Sequence, residues 1–133
     1  MACSDTANTL PTSATGHDIV IIVLDTVRKD RLSTYGYERA TSPNLDSMIA
    51  TARNFDNAHA TSGWTTPSHA SIFSGLYPVA HGATQENWRL TEDVESLAEV
   101  LGGAGYQTVG VAGKVLSTAE RGVAQGCEIS HES

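Results

Sequence analysis

The stretch Asp18-Ile19-Val20-Ile21-Ile22-Val23-Leu24-Asp25 decides how this chain is read. Its unbroken, mostly β-branched run predicts a strand covered on both faces, as in the interior of a parallel sheet. Asp25 then stands at the carboxyl end of that strand, the edge where ligands gather in open α/β sheets. The run from Ile19 to Leu24 is the longest apolar stretch in the sequence and is far too short for a membrane span.

Outward from this strand, elements alternate. Ser42-Pro43 predicts a helix start, with Leu45, Met48, Ile49 and Ala52 at i, i+3, i+4 and i+7 forming one apolar stripe. Phe55 to Ala60 is a candidate short strand, weakened by Asn57 and His59. Thr66 followed by Pro67 predicts an N-cap and first helical residue, the helix running to about Ser74 and stopping at Gly75. Thr91 is the expected cap of a further helix in which Val94, Leu97, Ala98 and Leu101 share a face, ended by Gly102-Gly103. Tyr106 to Ala112 reads as a second buried strand with Gly113-Lys114 just beyond it, after which the pattern fades into polar residues. Strands alternating with helices predict an α/β fold with a parallel sheet. Residues 1–16, rich in Ser, Thr and Ala, are expected to form a disordered leader, and 17–133 one domain or part of one.

Charge narrows the function classes. Fifteen acidic residues against eight basic ones give a net charge of −7, the opposite of a surface built for nucleic-acid phosphates. A small anionic substrate remains compatible, because one local cation outweighs a diffuse acidic field at short range. The two cysteines, Cys3 and Cys127, form no metal-type cluster, and Cys127 reads as a small buried hydrophobe. The first residues show no basic region and no apolar signal segment. Ala2-Cys3-Ser4-Asp5 reads either as part of the leader or as the stub of a lipoprotein signal, the second implying a periplasmic, extracellular or lipid-anchored protein.

Asp25, Lys114 and the start of the Thr66 helix are expected at one sheet edge. A carboxylate there suits a hard divalent cation, or alternatively caps the turn that leaves the strand. Thr65 carries a hydroxyl that becomes a useful nucleophile once a metal or base lowers its pKa. The positive end of the helix dipole favours an anion beside it. Lys114 could clamp an oxyanion as a point charge, or simply be solvated. His69, one turn into the helix, could reach the same anion or be a surface or hydrogen-bonded residue. His81 before Gly82 reads as a turn residue. Arg28 and Asp30 either pair locally or face the site. Trp64 is expected to pack the loop before the helix against the sheet.

Together these segments resemble the N-terminal part of the sulfatase family, within the alkaline phosphatase superfamily. The matching stretches are Ile21 to Arg28, Tyr35-Gly36-Tyr37, Thr41 to Asp46, Trp64 to Ser71, Gly75 to Pro78 with His81-Gly82, and Gly105 to Thr108 leading to Gly113-Lys114. The resemblance implies a parallel-sheet α/β/α sandwich and a metal-dependent hydrolase that transfers a sulfuryl or phosphoryl group through a covalent intermediate at position 65. It places Asp25 and Thr65 as metal ligands, with Thr65, Lys114 and His69 as the catalytic set. It implies a divalent metal, calcium first with zinc or manganese as alternatives, and a small sulfate or phosphate ester as substrate.

Four positions depart from the family pattern. Threonine stands at position 65 where Cys or Ser is matured to formylglycine, and oxidising a threonine would give a ketone instead. His69 replaces the motif arginine. Thr26 stands where many sulfatases carry a second metal-binding aspartate, and Leu116 where many have histidine. Threonine acts directly as nucleophile in phosphoryl-transferring relatives, which makes a phosphodiesterase or phosphomonoesterase the alternative within the superfamily. The family's remaining metal ligands come from a later strand, so the chain is expected to be a fragment inactive alone, or a non-catalytic interaction module on the same scaffold.

Overall fold

A computed structural model of the chain describes residue 16, residues 18–113 and residues 121–132. The leader expected over residues 1–16 and the site residue Lys114 lie outside the described residues, apart from Gly16. The chain divides into two compact units, one of residues 19–59 and one built chiefly of residues 60–133.

In the first unit the expected strand at Asp18 to Asp25 is not formed. Every side chain from Ile19 to Leu24 is exposed, Val20 at 78% and Ile22 at 77%. An apolar run becomes an inner strand only where neighbours supply both a hydrogen-bond ladder and a cover for each face. Among the described residues the only paired strands lie elsewhere. Two short 3-10 turns follow, Lys29–Arg31 and Ser33–Tyr35, then helix α1, Pro43–Ile49.

Helix α1 starts where Ser42-Pro43 predicts, but the Ser42 hydroxyl does not cap it. Instead Ser42 Oγ donates to Asp46 Oδ1 (2.9 Å), Ser33 Oγ donates to Asp46 Oδ2 (2.6 Å), and the Ser33 N–H donates to Ser42 Oγ (3.1 Å). The predicted apolar stripe is not buried: Met48 is 65% exposed and α1 has no buried residue. The candidate strand at Phe55 to Ala60 is also absent, and Phe55 is 67% exposed. Polar clasps hold this return, from Tyr35 Oη to Asn54 Oδ1 (3.0 Å) and from Lys29 Nζ to the Asp56 carbonyl (2.6 Å).

The second unit carries the core. Helix α2, Thr65–Ser74, begins earlier than its sequence cap suggested, with Trp64 rather than Thr66 at the N-cap. Pro67 is therefore the third helical residue, still inside the first turn, where an N–H has no intrahelical acceptor and its absence costs nothing. The first intrahelical bond runs from the Ser68 N–H to the Trp64 carbonyl (3.1 Å). Gly75 ends the helix at φ 71°, a left-handed conformation in which a side chain would be strained. One turn of helix, α3 (Pro78–His81), follows and packs on α2. Ala70, Ala83 and Leu90 are fully buried, with Val94 against them.

Helix α4, Leu97–Gly103, starts at Ser96 and not at Thr91. The reason is a reciprocal capping box. The Glu99 N–H donates to Ser96 Oγ (3.1 Å), while the Ser96 N–H donates to Glu99 Oε2 (2.7 Å). Ser96 Oγ also donates to the Gln125 carbonyl (2.9 Å), and Gln125 Nε2 returns to Glu99 Oε2 (2.9 Å) and to the Val94 carbonyl. Gly126, at φ 81°, lies so close that an added Cβ would fall 2.5 Å from Glu99 Cγ.

Strands β1 (Val109–Ala112) and β2 (Ile129–Glu132) pair in parallel, Val109 opposite Ile129. The stretch Tyr106 to Ala112 thus yields a shorter strand than predicted. It is half covered rather than buried, with Val109 and Val111 57% and 77% exposed. The polar tail, where the sequence pattern fades, supplies β2. Its strand comes from backbone pairing, led in by the Glu128 N–H on the Thr108 carbonyl (3.0 Å) and Thr108 Oγ1 on the Gly126 carbonyl (2.7 Å).

The Ser96 node gives a stability test. Ser96→Ala removes a cap and leaves the part-buried Gln125 carbonyl without this donor, so urea unfolding should show a loss of about 2 kcal/mol. Glu99→Ala, at an exposed position, should cost less than Ser96→Ala in the same measurement.

Candidate functional site

Helix α2 sets the position of the two candidate catalytic residues that the structure describes. Thr65 is its first residue and is half-buried. His69 follows four residues later on the same face and is 8% exposed, so it is not a surface residue. The buried arc of the helix comprises Thr66, Pro67, His69, Ala70 and Ser71, so its first turn is held against the unit rather than projecting from it.

Asp25 belongs to the other unit, half-buried in a turn with Thr26. Thr26 has φ 61°, left-handed backbone that a β-branched side chain rarely adopts. Such strain, of order 1–3 kcal/mol, persists where the surroundings over-determine it. Among the described residues no three His, Cys, Asp or Glu side chains gather as a metal cluster. The Asp25 carboxylate and Thr65 hydroxyl are hard oxygen donors of the type a calcium-like cation accepts. A full shell of such a cation takes about 6–8 oxygens, more than these two supply.

Arg28 and Asp30 pair locally. Arg28 Nε donates to Asp30 Oδ1 (2.9 Å) and Nη2 to Oδ2 (2.7 Å), both side chains largely exposed. That hydrogen bonding holds the Asp30 carboxyl below its usual pKa and raises Arg28 further. Trp64 is 48% exposed. Its ring lies 6.2 Å from that of Trp88, tilted by 46°, and Arg121 stacks over the other side chain of this pair at 5.2 Å. Cys127 is half-buried and its thiol pKa is pushed up by desolvation, in keeping with a small packing residue.

The residue that sequence reasoning missed is His81. Read as a turn residue, it is in fact 1% exposed. Its Nε2 lies 3.0 Å from Ser71 Oγ, which also accepts from Thr61 Oγ1 (2.8 Å). Its Nδ1 accepts the Ala83 N–H (3.1 Å). A buried Ser–His contact resembles a nucleophile and its base, but the Ala83 N–H settles the tautomer. With Nδ1 accepting, the neutral ring carries its proton on Nε2, and Nε2 donates to Ser71 rather than taking its proton. The pair is therefore structural, and Ser71 is only 8% exposed. The one sequence signal for it was the His81-Gly82 pair inside a motif already quoted.

Two measurements follow. Thr26→Asn, which tolerates left-handed backbone, should raise stability in urea by about 1 kcal/mol. Desolvation lowers the His81 pKa below its ordinary 6.5. Below that value the unfolded chain takes up a proton the folded chain refuses, so stability is full at neutral pH and declines as the pH falls. Thermal unfolding across this range should show the decline, and it should shrink in His81→Gln.

Comparison with known proteins sets these residues in a family. The sulfatase family profile matches residues 17–126. Arylsulfatase A of Bos taurus is 33% identical over 108 residues, covering 77% of this chain and 21% of that protein. N-acetylgalactosamine-6-O-sulfatase of Bacteroides thetaiotaomicron is 34% identical over 102 residues, 73% of this chain and 20% of that protein. The ulvan-active sulfatase of Formosa agariphila is 30% identical over 110 residues, 81% of this chain and 22% of that protein. The chain thus spans about a fifth of the length of the curated relatives it matches. No solved structure matches it. The family carries an alkaline phosphatase-like α/β fold, generally uses a divalent metal and hydrolyses sulfate esters. With its family profile running from residue 17 through the α2 motif to residue 126, this chain belongs to the sulfatase family.

Proposed function

We propose that the protein is a metal-dependent ester hydrolase in which Thr65 is the nucleophile. The observation that carries this reading is the place of Thr65: the first residue of α2, at the nucleophile position of the Thr65-Thr66-Pro67-Ser68-His69 motif. The helix dipole there favours a substrate anion, and His69, on the same face, is the candidate contact for its oxygens. Lys114 is assigned the same oxyanion as a point charge.

Thr65 Oγ1 attacks the sulfur or phosphorus of the ester. The bond to the leaving oxygen breaks, and that oxygen departs with the electron pair and is protonated to the alcohol. Water then cleaves the sulfated or phosphorylated threonine and restores the hydroxyl. Asp25 and Thr65 are proposed as two oxygen donors to a hard divalent cation, calcium by analogy with the family. When bound, it would lower the pKa of the hydroxyl and neutralise charge on the transferred group. The parallel-sheet sandwich expected from the family is the proposed setting for residues 17–133, in one incomplete catalytic domain of which these residues alone are inactive.

A phosphate ester is the second reading, favoured by the residue at position 65. Threonine cannot yield the aldehyde on which sulfatase maturation depends, whereas its hydroxyl serves phosphoryl transfer unaltered.

The protein expressed from its full reading frame should release the phenol from an aryl sulfate or an aryl phosphodiester when a divalent metal is supplied. Thr65→Ala should reduce the rate to the uncatalysed level, and mass spectrometry of the Thr65 peptide should show an unmodified threonine. Full activity in Thr65→Ala would end the assignment. An oxidised residue there would end the case for an unmodified nucleophile.

A further inference from the structure

We infer that His81 is the positioning residue of the nucleophile helix: its Nε2–H, delivered by α3 into the buried face of α2, holds the first turn that carries Thr65. The inference rests on the assignment of Thr65 as nucleophile for its catalytic consequence, and on the described geometry for everything else.

The two ring nitrogens do different work. Nδ1 faces the chain's own next turn and accepts the Ala83 N–H at 3.1 Å, which fixes the proton on Nε2. Nε2 faces α2, 3.0 Å from Ser71 Oγ. Hydrogen bonding to the Pro67 backbone raises the His81 pKa, against the larger desolvation that lowers it. Pro67 and Ser71 are four residues apart and so lie on one face of α2, each buried. The imidazole therefore meets α2 on its buried face at Ser71, one turn beyond Pro67.

Ser71 is fixed in turn by Thr61 Oγ1 (2.8 Å), in the segment that leads into Trp64 and Thr65. Thr61, Ser71 and His81 thus close a polar bracket around the entry to the helix, buried at Ser71 and His81. The box Ser96–Glu99 holds α4 in comparable fashion through side-chain bonds, whereas the N-cap residue of α2, Trp64, makes no side-chain cap bond. A helix whose N-terminus lacks such a cap depends on contacts along its flank to keep its first turn wound.

Two near-isosteric variants separate the two nitrogens. His81→Asn places an amide oxygen close to where Nδ1 lies and keeps the acceptor for the Ala83 N–H, while losing the donor toward α2. His81→Gln places an amide NH2 close to where Nε2 lies and keeps that donor. In protein from the full reading frame, hydrogen exchange of the Ser68 amide, which closes the first turn of α2, should remain as slow in His81→Gln as in the parent. In His81→Asn it should accelerate by about tenfold, the loss of one buried hydrogen bond. Turnover on the aryl ester that the parent cleaves should follow the same order, with kcat reduced in His81→Asn, KM little changed, and rescue by His81→Gln.

Equal exchange and equal kcat in the two variants, or better retention in His81→Asn, would overturn the inference. Nitrogen-15 NMR of the unsubstituted protein tests it even if neither variant folds: a neutral ring with its proton on Nε2 supports it, and a proton on Nδ1 refutes it. The failure of Thr65 as nucleophile would show separately, as activity surviving Thr65→Ala while the Ser68 exchange pattern stood.

Discussion

An imidazole that water does not reach has to find protein partners for both nitrogens, and His81 finds one two residues ahead and the other on the neighbouring helix. Leaving either nitrogen unsatisfied costs about 1–3 kcal/mol, a large share of what a small domain has to spare. Ala83 therefore has to sit where its N–H meets Nδ1, and α2 has to present Ser71 to Nε2. Those two requirements set Ala70 and Ala83 beside Leu90 as the fully buried core. The apolar contacts are small, two alanines and one leucine. The polar bracket supplies the direction that such small side chains cannot.

Local signals in the sequence were read well where they act over a few residues. Ser42-Pro43 places the start of α1, Gly75 the end of α2, and the stretch before Gly113 a strand in a parallel pair. Two starts were misjudged for reasons visible in the same residues. Ser96-Leu97-Ala98-Glu99 is a capping box, a stronger signal than the lone Thr91. Pro67 is tolerated through the whole first turn, so it does not mark the first residue of α2. Readings that depended on distant partners were not realised. Periodicity in Leu45, Met48 and Ile49, or an apolar run at Ile19 to Leu24, states which environment a segment suits and not whether another element provides it. Conversely, Ile129–Glu132 becomes a strand because Val109–Ala112 offers it a ladder, which no composition rule detects.

The candidate site divides in the same way. Thr65 and His69 share one helix, although the Thr66-Pro67 signal had placed Thr65 just before its start. Asp25 was legible as a turn carboxylate but not the strained Thr26 beside it, since φ leaves no mark in sequence. His81 was overlooked because a histidine before glycine usually ends a turn. Its burial follows from the packing of α3 on α2, and its tautomer from a single backbone N–H. The relatives extend this picture: their names describe an arylsulfatase, an N-acetylgalactosamine-6-O-sulfatase and an ulvan-active sulfatase, so the family supports the motif and leaves selectivity to other residues.

The bare segment from Ile19 to Leu24 has a consequence for handling these residues in solution. It is six residues of high β-propensity without a charge, a proline or a glycine, open along its length. Such a segment presents unpaired N–H and C=O groups to any like segment it meets, and identical copies can stack in register with their isoleucines and valines interleaved. The feature that suits it to the centre of a sheet makes it self-adhesive when uncovered. Association of the polypeptide into cross-β aggregates would begin here, and Asp18 and Asp25, one at each end, are the charges that oppose it.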